Sequence, residues 1–106
     1  MPTLSTHVLD AALGRPAAGV SVTLTGPDGA AIAAATTDDD GRFRFPDPVE
    51  PGAHGLRFAT GPWFAAQGRE TFFPHVDLAF EVTESQPHVH VALLLSPFAY
   101  TTYRGS

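Results

Sequence analysis

Cysteine is absent from the 106-residue chain, which removes disulfides, thiolate nucleophiles and Cys-ligated metals. Lysine is absent as well: all six basic residues are arginine, so Schiff-base chemistry on a lysine amine is out. Charged residues make up only 16% and the formal net charge is −5. A nucleic-acid or anionic-membrane surface would need a basic patch, so neither partner is expected. No apolar run approaches the ~18 residues of a membrane-spanning helix. The opening stretch MPTLSTHVLD lacks the basic start and apolar stretch of a signal peptide, and a cytoplasmic protein is expected.

What is present is a globular composition, 43% apolar, at a length expected to form one domain over residues 1–106 and to bury roughly two thirds of its unfolded surface. Ten glycines and ten prolines punctuate the chain at short intervals, and the stretches between them alternate with period two. That pattern predicts an all-β, two-sheet antiparallel β-sandwich. Val20, Val22 and Leu24 share one strand face, the turn Gly26-Pro27-Asp28-Gly29 follows, and a strand returns over about Ala30 to Thr36. Phe43 and Phe45 point to the core while Arg42 and Arg44 point away. A strand is predicted over Gly55 to Thr60, and one short helix in GPWFAAQGRE, with Pro62 early and Gly68 near its end. Val76, Leu78, Phe80 and Val82 mark a strand with one buried face.

The closing segment HVHVALLLSPFAYTTYRGS predicts a hairpin turning at Ser96-Pro97-Phe98-Ala99. Val89, Val91, Leu93 and Leu95 form its core face. His88, His90, Ala92 and Leu94 form the other, a half-polar, half-apolar surface expected to be covered by something outside this domain's own core. The hairpin brings the residues at the end of the sequence close to His88 and His90. Two imidazoles at i, i+2, with His7 as a third, offer a partial zinc set, but no carboxylate at an obvious spacing completes it, and no metal or other cofactor is expected. Asp38-Asp39-Asp40 lacks the ligand spacing of a calcium loop and reads as a solvated turn. No GxSxG or phosphate-loop pattern occurs, and Ser5, Ser85 and Ser96 have no nucleophile context.

The block GRPAAGVSVTLTGPDGAAIAAATTDDDGRFRF resembles the opening of prealbumin-like β-sandwiches. LSTHVLD taken together with HVHVALLLSPFAYTTYRGS resembles the transthyretin-related 5-hydroxyisourate hydrolases, which carry a closing Tyr-Arg-Gly-Ser. The likeness runs essentially the whole length, with Val89, Ala92 and Phe98-Ala99 departing from the residues common in that family. It implies a prealbumin-like fold and hydrolysis of the small molecule 5-hydroxyisourate to 2-oxo-4-hydroxy-4-carboxy-5-ureidoimidazoline, in urate breakdown. It implies no metal, and a homotetramer built as a dimer of dimers with sites at the interface.

The same resemblance implies His7, Arg42, His90 and Ser106 as catalytic residues, and His7, Arg42, Tyr103 and Arg104 as substrate-binding residues. Ring-amide opening needs an activated water, a stabilised oxyanion and a proton for the departing nitrogen. Either His7 or His90 would be the base, Arg42 would hold the oxyanion, and Tyr103 would meet the flat ring. Arg104 and the Ser106 carboxylate would orient the imidazoles or carry a proton. The alternative is a carrier that binds a small aromatic ligand without turnover.

Overall fold

Alternation of apolar and polar side chains dictates most of the architecture. The computed structural model, which describes all 106 residues, holds strands β1 (Thr3–Asp10), β2 (Arg15–Pro16), β3 (Ser21–Thr25), β4 (Ala31–Thr36), β5 (Arg42–Arg44) and β6 (Gly52–Phe58). Helix α1 (Thr60–Ala65) follows, then β7 (Val76–Val82), β8 (His88–Leu95) and β9 (Tyr100–Gly105). One sheet runs β2-β1-β8-β9, with β5 also paired to β1, and the other runs β4-β3-β6-β7. Between them Leu4, Val8, Val89, Val91, Leu93 and Leu95 meet Val20, Val22, Leu24, Leu56, Phe58, Val76, Leu78 and Val82 in one core. Each such side chain taken out of water contributes about 1.5–3 kcal/mol. This is the all-β sandwich with one short helix that the punctuation and period predict.

Three local features differ from the sequence reading. The β1–β8 ladder is parallel, with Thr3 opposite His88 and Asp10 opposite Leu95, whereas the remaining ladders are antiparallel. Most of the chain, including the whole second sheet, separates these two strands, and so long a connection permits a parallel pair that no hairpin could make. The strand expected over Gly55 to Thr60 is β6, which runs Gly52–Phe58. It stops earlier because Thr60 already opens α1, where its hydroxyl donates to the Phe73 carbonyl at 3.1 Å. Finally, Ala92 is only 4% exposed within a single chain, since its small side chain lies in register between the larger His7 and Tyr103.

The connection into β5 is fixed by one glycine. Gly41 has φ +73°, and its amide and carbonyl both bond, the N–H to Asp38 O at 2.9 Å and the C=O from Val8 N at 2.7 Å. A Cβ there would run into the Val8 carbonyl oxygen and crowd the Ala17 amide. Gly41→Ala is therefore expected to destabilise by about 1–3 kcal/mol from the backbone conformation alone, with the collision adding to it. A lowered urea midpoint at unchanged slope checks this.

Candidate active site

Register places the polar residues of four strands on one outer sheet face. Paired residues in neighbouring strands point to the same side, and residues two apart on a strand do likewise. One row across β5, β1, β8 and β9 is therefore Arg44, Ser5, His90 and Gly105, and the next is Arg42, His7, Ala92 and Tyr103. Thr3 and His88 form a third, shorter row. Each functional side chain thus stands on a strand held by ladders on either side, except on β5 and β9 at the margin.

These rows enclose a cavity of about 380 Å³ lined by Ser5, Thr6, Asp38, Arg42, Phe43, Arg44, His88, His90 and Ser106. The rings of His7 and His90 lie 6.4 Å apart between centroids, tilted by 44°. His7 Nε2 is 3.0 Å from the Asp40 carbonyl oxygen. A carbonyl only accepts, so His7 donates from Nε2. His90 Nδ1 lies 2.7 Å from the Ser5 hydroxyl, which is also 2.7 Å from His88 Nε2. Gly105 packs against the Cδ2 edge of His90, where any side chain would collide with the ring. Arg42 and Arg44 take part in none of the ion pairs of the chain, so their guanidinium groups are not directly paired, although Asp38 and Ser106 line the same cavity.

Burial, reinforced by the neighbouring His7, Arg42 and His88, pushes the His90 pKa below its ordinary value. Burial and the Arg44 charge do the same to His88. Both shifts favour neutral imidazole. Because the folded value of His90 is the lower one, the unfolded chain binds more protons between it and about 6.5, and stability falls as pH drops through that window. We expect the His90 ring protons to titrate with a midpoint below about 6.5 in an NMR pH series; a midpoint above it would contradict the electrostatics just described.

Of the residues singled out from sequence, Arg42, His90 and Ser106 line this cavity, and His7 stands beside it, with its ring 6.4 Å from that of His90. Tyr103, 52% exposed, shares the sheet face with them but is separated from Arg42 by two intervening strands, β1 and β8. Arg104 is opposite Val91 and so points to the other side of the sheet, where with Tyr103, Phe80 and Glu81 it lines a separate cleft at the open edge of the sandwich. Within one chain the structure does not bring Arg104 to the imidazoles.

Three contributors considered in the sequence were not assigned to the site. Ser5 had no nucleophile context and is instead a bridge between two histidines. The Asp38-Asp39-Asp40 run is more than a solvated turn. Asp38 accepts the backbone N–H groups of Asp40 and Arg42, each at 2.9 Å, and Asp40 supplies the carbonyl that orients His7. The third is His88, whose two ring nitrogens are both engaged, by Thr3 and Ser5. The usable signal was the adjacency of Asp38–Asp40 to Gly41-Arg42, a turn that has to deliver an arginine to the edge of β1.

A two-sheet sandwich whose outer face holds paired imidazoles, free guanidinium groups and the closing residues of the sequence defines a prealbumin-like protein with a hydrolase-type pocket. Residues 4–105 match the HIUase/Transthyretin family, and the chain belongs to it. The 5-hydroxyisourate hydrolase of Mus musculus is 39% identical over 111 residues, covering 97% of this chain and 94% of that protein. The solved structure of Klebsiella pneumoniae 5-hydroxyisourate hydrolase superposes with a TM-score of 0.92 at 40% identity over 100% of both chains. Sea bream transthyretin, solved in complex with thyroxine, superposes with a TM-score of 0.85 at 29% identity, over 96% of this chain and 93% of that one.

Proposed function

We propose that residues 1–106 act as one domain of a cytoplasmic homotetrameric enzyme that hydrolyses the ring amide of 5-hydroxyisourate without a metal. The observation that carries this reading is the pairing of a half-buried, neutral-leaning imidazole with two guanidinium groups that make no ion pair, in one small cavity. A carrier needs shape and apolar lining, whereas this cavity has a single apolar residue, Phe43, among the nine that line it.

In the proposed reaction His90 takes a proton from water as the water oxygen bonds to the ring carbonyl carbon. Arg42 donates to the carbonyl oxygen as it becomes an oxyanion, its fixed fork of donors suiting a planar urea-like ligand. When the carbon–nitrogen bond breaks, the proton held by His90 passes to the departing nitrogen, and the carboxylic acid so formed releases its own proton to solvent to leave a carboxylate. His7, oriented by the Asp40 carbonyl and standing beside the His90 ring, binds the substrate's polar edge. Tyr103 and Arg104 reach a substrate only if a second chain supplies them across an interface. Tyr103, Phe98 and Phe72 are exposed at 52%, 65% and 74%, and β7 and β9 end their sheets unpaired, which supports assembly. The compartment follows from the family reading alone.

The deciding experiment runs urate oxidase with and without the protein and follows the decay of the hydroxyisourate absorbance. Acceleration supports the hydrolase. Unchanged decay combined with saturable binding of an aromatic ligand would favour the carrier instead.

A further inference from the structure

A chain of hydrogen bonds runs away from the reacting imidazole through residues that the proposed chemistry does not use. His90 Nδ1 meets the Ser5 hydroxyl at 2.7 Å, that hydroxyl meets His88 Nε2 at 2.7 Å, and His88 Nδ1 meets the Thr3 hydroxyl. The chain ends on the Pro87 carbonyl oxygen, 3.4 Å from the Thr3 hydroxyl. It links β1 to β8 across the parallel ladder, and it exists because Thr3 and Ser5 stand in register with His88 and His90.

The last acceptor gives this chain a direction. One polarity keeps every contact, the long one included: the Thr3 hydroxyl donates to the Pro87 carbonyl, which also accepts the Thr3 backbone N–H at 3.1 Å, and receives a proton from His88 Nδ1. Neutral His88 then has a bare Nε2, which takes the Ser5 proton, and the Ser5 oxygen accepts from His90 Nδ1. Neutral His90 is left with an unprotonated Nε2. The opposite polarity would drop the Thr3–Pro87 bond and leave an N–H at Nε2, where no lone pair could take a proton from water.

We propose that Ser5 and His88 are positioning residues that fix His90 as its Nδ1–H tautomer, so that the bare Nε2 lies toward the cavity. This rests on His90 acting as the base in the hydrolase reading, and it goes beyond that reading by assigning how the base is made ready. His88 acts through Ser5 and touches no reacting atom. Hydrogen-bonded partners behind a metal-bound histidine, which fix its tautomer in the same way, are typically worth about 10–100-fold, and the same order is expected here.

Nitrogen-15 NMR of the full-length protein labelled at histidine tests the assignment directly, near neutral pH. Wild type is expected to show a protonated, pyrrole-type Nδ1 and a pyridine-type Nε2 at His90, and a pyrrole-type Nε2 would overturn the proposal. In Ser5→Ala and His88→Leu the Nδ1–H tautomer should lose its dominance, and kcat should fall about 10–100-fold with KM within about twofold of wild type. Ser5→Thr, which restores a hydroxyl, should recover most of that loss. A preserved tautomer, or an unchanged kcat, in well-folded Ser5→Ala and His88→Leu would overturn it too. Should wild type lack hydrolase activity altogether, the functional reading fails while the NMR measurement still decides the tautomer, so the two failures are told apart.

Discussion

His90→Ala lowers kcat by about two to four orders of magnitude while the protein stays folded, the range expected for loss of a general base. The fold survives because His90 faces the cavity rather than the core: its strand neighbours Val89 and Val91, 4% and 6% exposed, carry the packing and are untouched. Removal of the ring also leaves Ser5 free to bond His88 alone, so no buried polar atom is orphaned. The fall should appear in kcat and kcat/KM together, since proton abstraction belongs to the transition state and not to substrate binding. Arg42→Ala, in contrast, removes an oxyanion donor and is expected to cost about 10²–10³ in kcat, with KM rising as well because the guanidinium also holds the ground-state carbonyl. Steady-state kinetics on the two variants, with far-UV circular dichroism to check folding, makes the comparison. A His90→Ala enzyme with wild-type turnover would remove His90 from the chemistry and leave His7 as the remaining imidazole.

How far the sequence disclosed this arrangement depends on the range of the interaction. Features set by period two were legible. The core face of β8, the pairing of His88 with His90 on the opposite face, and the hairpin that returns Gly105 to His90 all follow from alternation and a four-residue turn. Period two also implies that Tyr103 and Arg104 face opposite sides of β9, a consequence that outweighs grouping them as neighbours in one motif. Contacts between distant segments were not legible. The Ser5–His88 and Ser5–His90 bonds span 83 and 85 residues and depend on a parallel register that no local pattern encodes. Asp38–Asp40 looked like solvent-facing charge because the groups that matter are a backbone carbonyl and a carboxylate bonded to backbone amides, neither visible in residue type.

The same long-range blindness hides a buried ion pair whose breaking is expected to cost much stability. Asp10 ends β1 and is 1% exposed. Its carboxylate accepts the backbone N–H groups of Ala12 and Leu13 at 3.1 and 3.0 Å. It also accepts Arg69 Nη1 at 2.7 Å and Arg69 Nη2 at 3.4 Å, across 59 residues of sequence. Arg69 is itself seated over the Phe64 ring, 4.8 Å from its centroid. Burial raises the Asp10 pKa, but the Arg69 hydrogen bond and charge and the two backbone amides outweigh it, and the net shift is downward. The folded value lies below the unfolded one, so the pair's contribution is complete above about pH 3.9 and is lost as pH falls through the folded value.

Arg69→Ala strands a buried carboxylate and should destabilise the protein by about 3–5 kcal/mol at neutral pH. Lowering the pH should narrow the gap to wild type, because protonation relieves Asp10 in the variant while it erodes the pair in the parent. The Asp10→Asn, Arg69→Ala double variant should lose less than the sum of the two single losses, since the groups are in direct contact. Urea unfolding of the four proteins at two pH values measures both effects. Strict additivity, or a gap that widens toward acid, would show that the fold does not depend on this pair, and that the β1 end is held by its two backbone amides alone.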